Sequence, residues 1–376
     1  WIKFTTLYHL IFIVKIKIIM KVCILGNGLT SLTLAKTLVN QGIYVDLISN
    51  KKIKNQNKTR TLGITESNIK FFNKNVLNIQ KLLWNINKIE VYSFKLKNDK
   101  ILNFGNDKDN IFSMIKNSEL FNYLMTDLKK NKFFKIKKKE HEYNYLQKKY
   151  SLVFNCDIKN KISKSLFNKK IEKDYKSFAH TTVITHKKLK KNNVAQQIFT
   201  EKGPIAFLPI SQTKTSVVYS CRGKKKIDLL SLVKKYNSKY TLLGIKDHFS
   251  FELKSSNLRT YYNKNILAFG DLLHKIHPLA GQGFNMSIRD TREILDLIRL
   301  RIKNGLDLDH SICVDFEKKT KHKNYIFSSG IDLVYEFFNL ESKINTKILS
   351  KSVKFFGENK IINKFFSKFA NDGVTI

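Results

Sequence analysis

Two short runs of residues have the composition of a ligand site. The first, Gly26-x-Gly28-x-x-Ser31, directly follows the apolar Val22-Cys23-Ile24-Leu25. In such a run the first glycine permits a tight turn and the second lets the backbone approach a pyrophosphate. The free N–H groups of the helix that follows, beginning at Leu29 and Thr30, complete an anion cradle. Ser31 replaces the third glycine and is small enough for close packing of helix on strand. The second run is Gly270-Asp271-Leu272-Leu273-His274-Lys275-Ile276-His277-Pro278-Leu279-Ala280-Gly281-Gln282-Gly283-Phe284-Asn285-Met286. Asp271 is placed to accept a hydrogen bond from a ligand hydroxyl, and Pro278 shapes the loop. Gly281 and Gly283 allow a flat ring to lie against the backbone, and a helix beginning near Gly283 favours negative charge on that ring. His274 and His277 have the chemistry of a general base. His274 is read as structural instead, Arg289 and Asp290 as helix-surface or domain-interface contacts, and no catalytic residue is assigned. No cluster of His, Cys, Asp or Glu has metal-ligand spacing.

These residues need elements to hold them. Lys21 to Asn50 reads as a strand, a helix with Leu29, Leu32, Ala35 and Leu38 at helical spacing, a stop at Gly42, and a second strand from Tyr44 to Ile48. An acidic residue that could hold a ribose is expected at the end of that second strand, but Ser49-Asn50 stands there; either Ser49 or Asn50 offers a weaker, neutral hydrogen bond or that end of the ligand is held loosely, and Asp46 lies too early. Further along, the pattern predicts a helix over Ser118 to Lys130, a solvated hairpin or loop over Lys132 to Lys149, and a buried strand from Tyr150 to Cys156. From Phe178 to Phe251 alternation dominates, predicting an antiparallel sheet interrupted by a helix near Leu229 to Tyr240. Ile266 to Phe269 reads as another buried strand, and the chain from Gly283 is mostly helical. The fold class is therefore α/β: a Rossmann-like domain with an inserted, mainly antiparallel β-sheet domain and a helical C-terminus. The expected boundaries are 20–75, 105–165 and 260–330 for the first domain, 76–104 and 166–259 for the second, and 331–376 for the C-terminal region. Residues 1–19 are set apart as an extension preceding Met20.

Composition narrows the classes. With 376 residues, 42% of them apolar, the chain has material for a sizeable core. Its net charge of +39 comes from 69 basic residues, only seven of them arginine, against 30 acidic ones. Lysine spread through the whole length is not the arginine-rich face of a nucleic-acid binder, so no nucleic-acid partner is expected. The four cysteines are far apart in sequence, which fits a reducing cytoplasm. Leu10 to Met20 is too short to span a bilayer.

At Gly270 to Asn285 the chain resembles the class A flavoprotein monooxygenases, and among them the ubiquinone-biosynthesis hydroxylases of polyprenylated phenols. Their Gly-Asp-Ala-Ala-His-x-x-x-Pro-x-Ala-Gly-Gln-Gly-x-Asn run is matched except that Leu272-Leu273 replace two alanines. Arg60-x-Leu62-Gly63-Ile64 is similar to the segment after the second strand, and Gln197 to Pro209 to a strand pair of the substrate domain. The resemblance implies FAD held across Gly26, Gly28, Leu29 and Thr30, with Asp271 and Gly270 at the ribityl chain. It also implies that Gly281, Gln282, Gly283, Phe284 and Asn285 lie against the pyrimidine edge and that Arg60 helps hold the cofactor, with Ser49, Asp157 and the loop-shaping Pro278 counted among the cofactor-binding residues. The family's middle Asp-Gly pair is represented by Asp157-Ile158, so Asp157 is retained and the glycine is not.

In that family NADH or NADPH serves as a transient co-substrate and one oxygen atom is transferred to an electron-rich ring. The resemblance thus implies a monooxygenase acting on a polyprenylated phenol or quinone precursor. The alternatives are a related FAD oxidoreductase without oxygen insertion and a non-catalytic flavin-binding subunit. Such a substrate resides in the bilayer. The expected location is accordingly the cytoplasm, peripherally at the inner face of the membrane, with other quinone-biosynthesis proteins as candidate partners. The basic, aromatic-rich stretch from Ile331 to Phe369, including Lys351, Lys354, Lys360 and Lys364, either packs onto the flavin domain or docks on an anionic leaflet, and salt-sensitive peripheral association is the expectation.

Overall fold

The structure, a computed structural model, describes residues 20–49, 59–93, 99–105, 110–138, 142–223, 226–246, 248–277 and 282–344. Its centre is a six-stranded sheet. Strands Ile266–Ala268, Leu152–Asn155, Lys21–Leu25, Tyr44–Ile48 and Phe134–Lys137 run parallel in that order, and Tyr262–Asn263 is added antiparallel at one edge. Val22, Cys23, Ile24, Val153, Ile266 and Ala268 are fully buried, as continuous apolar runs in a sheet covered on both faces must be. The Leu29–Val39 helix packs on this sheet with every residue from Ser31 to Val39 buried. Gly42, with φ of 75°, turns the chain back into the second strand.

A nine-stranded sheet forms the second layer. Its main path runs through His274–Lys275, Phe249–Leu258, Lys170–His186, Lys214–Arg222, Gly203–Pro209, Val194–Thr200, Lys88–Ser93 and Asp99–Gly105, and Leu242–Ile245 pairs beside Lys170–His186. Its neighbours are antiparallel except Val194–Thr200, which runs parallel to Lys88–Ser93. The Leu229–Tyr236 helix covers one face, where Ile184, Phe207, Val217 and Tyr219 are buried. A three-stranded sheet, Thr61–Thr65, Phe112–Lys116 and Trp84–Ile86, packs on part of the other face through Ile86 and Met114.

Several elements differ from expectation. Lys132 to Lys149, expected as a solvated hairpin or loop, supplies the edge strand Phe134–Lys137 and the helix Tyr143–Lys149. Only Phe134 and Leu146 are buried in these two elements, and lysines on an edge strand erase the apolar signal while protecting the edge from further pairing. Trp84–Ile86, assigned from sequence to the second domain, pairs with Phe112–Lys116, assigned to the first. His274–Lys275 likewise joins the nine-stranded sheet. The last helix, Ser311–Ile344, runs unbroken across the expected boundary at residue 331, and Gly330 does not interrupt it. Residues 1–19 and 345–376, including Lys351, Lys354, Lys360 and Lys364, lie outside the described residues. Among the described residues no helix is long and apolar enough to cross a membrane.

Candidate functional site

The first glycine run forms the turn its composition requires. Gly26 has φ of 109°, and its N–H donates to the Ile48 carbonyl at 2.9 Å. A Cβ there would lie 3.3 Å from the backbone N of Asp157, so the turn is pressed against the end of the neighbouring strand. Gly28 caps the Leu29–Val39 helix without any side-chain hydrogen bond, and no acidic residue lies in the first turn. A Cβ on Gly28 would meet nothing within 4 Å. Uncapped N–H groups facing open space are what a pyrophosphate needs.

The second run meets the first at one contact. Gly270 has φ of 63°, and a Cβ on it would stand 2.8 Å from Cγ2 of Thr30. Two segments 240 residues apart in sequence therefore meet side by side. Asp271, in the short 3-10 turn Gly270–Leu272, is exposed there and open to a ligand. Ser49 ends the second strand with its N–H on the Lys137 carbonyl at 3.2 Å. Asp46 is buried in that strand, and burial alone would raise its pKa. Hydrogen bonds from Lys137 at 2.6 Å and Tyr150 at 2.7 Å, with Lys21 at 3.3 Å, outweigh burial and hold the carboxyl below its usual range. These bonds engage the Asp46 carboxylate within the protein.

Other expected site residues are placed differently. The Asp157 carboxylate accepts from the N–H of Lys159 at 2.9 Å, closing its own turn, and its backbone N–H donates to Asn155 at 3.2 Å. Arg60 is exposed, and its carbonyl accepts from the N–H of Asn117 at 3.0 Å. Gln282 accepts from Arg289 at 3.4 Å, and Phe284 is buried in the main core. The Asn285 side chain is consumed within the protein: it donates to the Gly63 carbonyl at 2.9 Å and accepts from the N–H of Thr65 at 3.1 Å and Nδ2 of Asn68 at 2.9 Å. Asn285 therefore staples the helix Gln282–Lys303 to the strand Thr61–Thr65, and its backbone carbonyl accepts in turn from Asn68 at 3.3 Å and from Arg289 at 3.4 Å. Pro278 and Gly281 lie outside the described residues.

The two histidines are both buried. His274 pairs through Nε2 with Asp290, whose second oxygen accepts from Asn324 at 3.1 Å. Asp290 is thus an internal anchor, not the surface or domain-interface contact expected, while Arg289 stacks on Phe327 at 4.2 Å. His277 packs against Tyr335 at 4.4 Å and Tyr175 at 4.8 Å between ring centroids. Burial, helped by Lys173, pushes its pKa down to about 4. Sequence reasoning missed Asn68, Tyr175 and Tyr335; nothing in their local spacing marks them, because their partners are distant in sequence. Among the described residues no group of His, Cys, Asp and Glu could hold a metal ion.

No family model matches the chain. It is 22% identical over 274 residues to the mitochondrial ubiquinone biosynthesis monooxygenase COQ6 of Schizosaccharomyces pombe, covering 59% of this chain and 57% of that protein. It is 25% identical over 193 residues to COQ6 of Danio rerio, covering 40% of each. It is 28% identical over 153 residues to the 3-demethoxyubiquinol 3-hydroxylase of Escherichia coli, covering 38% of this chain and 39% of that protein. The chain thus spans about half the length of these relatives or less. Among solved structures it resembles p-nitrophenol 4-monooxygenase PnpA from Pseudomonas putida, with a TM-score of 0.74 at 12% identity over 94% of this chain and 98% of that one. It also resembles PqsL, a probable FAD-dependent monooxygenase from Pseudomonas aeruginosa, with a TM-score of 0.67 at 14% identity over 89% of this chain and 99% of that one. HpxO of Klebsiella pneumoniae, solved with FAD and uric acid, gives a TM-score of 0.70 at 10% identity over 94% of this chain and 96% of that one. The chain has the fold of the FAD-dependent monooxygenases, and its relatives by sequence are hydroxylases of ubiquinone biosynthesis.

Proposed function

We propose that this protein is an FAD-dependent monooxygenase that hydroxylates the aromatic ring of a polyprenylated ubiquinone precursor, using NADH or NADPH and oxygen. The observation that carries the reading is the Gly270–Thr30 contact, which joins the two glycine runs into one cleft. The residues present fit FAD. The open space before Gly28 and the uncapped helix behind it suit a pyrophosphate, and Asp271 is free to accept from a ribityl hydroxyl. Ser49 and Arg60 stand at the cleft's adenosine and ring ends in this reading, with Gly283 beside the ring. When bound, FAD would supply the redox chemistry and oxygen activation. The protein's part is to hold the ring, exclude water, and present the substrate from the nine-stranded sheet.

The lipid nature of such a substrate places the enzyme at an anionic membrane surface, a reading supported by the net charge of +39. Sedimentation with anionic liposomes at low salt checks it; protein left in the supernatant there points to delivery by a partner protein.

The decisive experiment is to purify the protein, release and identify its flavin, and assay a prenylated phenol with NADH or NADPH. Oxygen uptake matched by a product heavier by one oxygen atom is expected. Flavin reduction without oxygenated product would assign it to oxidoreductases that do not insert oxygen, and flavin that no nicotinamide reduces would make it a non-catalytic subunit.

A further inference from the structure

The loop that follows the long strand Lys170–His186 carries Lys187, Lys188, Lys190 and Lys191, all exposed, around the half-buried Leu189. Leu189 packs on the core beneath the Leu229–Tyr236 helix, and its N–H donates to the Gln212 carbonyl at 3.0 Å. His186 Nδ1 lies 2.9 Å from the Lys187 carbonyl and its Nε2 lies 3.0 Å from the Thr215 hydroxyl. At the other end Asn192 donates to the Ser211 carbonyl at 2.8 Å and accepts from the Tyr240 hydroxyl at 3.1 Å. The four lysines are thus mounted on a loop pinned at both ends. The Lys187 N–H donates to the Thr241 carbonyl at 3.0 Å, which brings this loop beside the strand Leu242–Ile245.

That strand is an outer edge. Among the described residues it pairs only with Lys170–His186. Leu243 is 66% exposed and Ile245 36%, and Lys246 next to them is exposed as well. The same edge continues to Phe249 and Phe251, which are 48% and 37% exposed. At about 3.4 Å per residue, the stretch from Leu243 to Phe251 presents about 27 Å of edge with apolar side chains, and the lysine loop stands at one end of it.

Charge at this corner is one-sided. From Thr181 to Lys246 the only acidic residues are Glu201 and Asp228. Glu201 sits in the turn joining Val194–Thr200 to Gly203–Pro209, at the end of those strands remote from the lysine loop. Asp228 caps the Leu229–Tyr236 helix, accepting from the Ser231 N–H at 3.1 Å. Asp247 lies outside the described residues. Another exposed apolar group, Leu300, Ile302 and Leu306, differs in this respect, because the exposed Asp296, Asp307 and Asp309 flank it in sequence.

We propose that this corner of the nine-stranded sheet is the face that docks on an anionic bilayer, with Lys187, Lys188, Lys190, Lys191 and Lys246 meeting lipid phosphates and Leu243 and Ile245 entering the headgroup layer. The proposal rests on the membrane association proposed above and names the surface responsible for it. Two properties favour lipid over a macromolecular partner. Protein interfaces are depleted in lysine, whereas four or more lysines beside exposed apolar side chains suit an anionic leaflet. Readers of nucleic acid rely on arginine, and Arg222, on the strand Lys214–Arg222, stands at the end of that strand away from this loop. The unpaired N–H and C=O groups of the edge keep the docking shallow, because they need water that the hydrocarbon core lacks.

The test is sedimentation of the full chain with vesicles of phosphatidylcholine alone, or of phosphatidylcholine and phosphatidylglycerol mixed about two to one, at about 0.1 M salt. Wild type is expected to sediment with the mixed vesicles only, and to be released at about 0.5 M salt. The variant K187Q/K188Q/K190Q/K191Q should weaken partitioning about a hundredfold and L243S/I245S about tenfold, with melting temperatures unchanged because these positions are exposed. Leu243→Trp should add a blue-shifted emission when mixed vesicles are present. The control K129Q/K130Q/K132Q/K135Q removes the same charge from exposed positions around the edge strand Phe134–Lys137, and should cost no more than about threefold. Equal losses from the two lysine sets would make binding a matter of net charge and overturn the assignment of this face. Loss confined to charge reversal at Lys351, Lys354, Lys360 and Lys364 would overturn it too, moving docking to the C-terminal stretch. So would a dimer in solution that L243S/I245S splits while vesicle binding is unchanged, which gives the edge to a second copy of the chain. Wild type that ignores the mixed vesicles overturns the membrane reading and this face together, and leaves the oxygenase reading to its own assay of flavin and product.

Discussion

Asn285 and Asn68 are joined by a hydrogen bond of 2.9 Å from Nδ2 of Asn68 to Oδ1 of Asn285, and both are almost fully buried. The same Asn285 oxygen accepts from the Thr65 N–H, and its amide nitrogen serves the Gly63 carbonyl. The first turn of the helix Gln282–Lys303 is thereby fixed to the strand that follows Arg60. Asn285→Ala leaves these groups buried without partners, at a cost of about 3 kcal/mol. Urea unfolding of the flavin-free protein is expected to show that loss, with a smaller one for Asn68→Ala. Unchanged apoprotein stability together with weak flavin binding would instead mean that the Asn285 side chain serves the cofactor directly.

The contrast with other positions shows what a sequence exposes. Gly26 and Gly270 were legible because each needs a positive φ that side-chain-bearing residues avoid, and a local run announces both. The strands Lys21–Leu25 and Ile266–Ala268 were legible because burial on both faces leaves a continuous apolar run. The edge strand Phe134–Lys137 was hidden, since one buried residue among lysines carries no period. The role of Asn285 was hidden for another reason: its type fits a ligand contact equally well, and its partners are more than 200 residues away in sequence.

Gly26 and Gly28 should respond differently to the same change. Gly26→Ala forces a Cβ into a strained φ and to 3.3 Å from the backbone of Asp157, so the fold itself should weaken. Gly28→Ala places its Cβ in open space at an ordinary φ of −78°, and should alter apoprotein stability by no more than about 1 kcal/mol. Flavin retention by Gly28→Ala should nevertheless fall, because that open space is where the pyrophosphate would lie. Asp271→Ala should weaken retention by roughly 1.5–3 kcal/mol through the lost charged acceptor. Full flavin occupancy in both variants on gel filtration would count against the cleft.

The buried His274–Asp290 pair joins the short strand His274–Lys275 to two helices, since Asn324 also donates to Asp290. Removing Asp290 strands the other two. Asp290→Ala is expected to cost about 3–5 kcal/mol, whereas His274→Ala is expected to spare the Asn324 bond and cost less. Differential scanning calorimetry decides between this anchoring role and a catalytic one: an Asp290→Ala protein as heat-stable as wild type but inactive would reverse the assignment.

His277 gives stability a pH dependence with a definite sign. Burial first, and then Lys173, push its pKa from 6.5 down to about 4, so the folded protein holds the neutral ring between Tyr175 and Tyr335. A histidine whose folded pKa lies below its unfolded one contributes stability that is fully present above pH 6.5 and is lost as pH falls toward 4, because the unfolded chain binds the proton more readily. The loss across that window is roughly 3 kcal/mol for a shift of this size. His277→Phe keeps a ring against both tyrosines and removes the titration. Urea midpoints measured between pH 7 and 4.5 are therefore expected to fall more steeply for wild type than for the variant. Identical slopes in the two proteins would mean that His277 already binds its proton in the folded state.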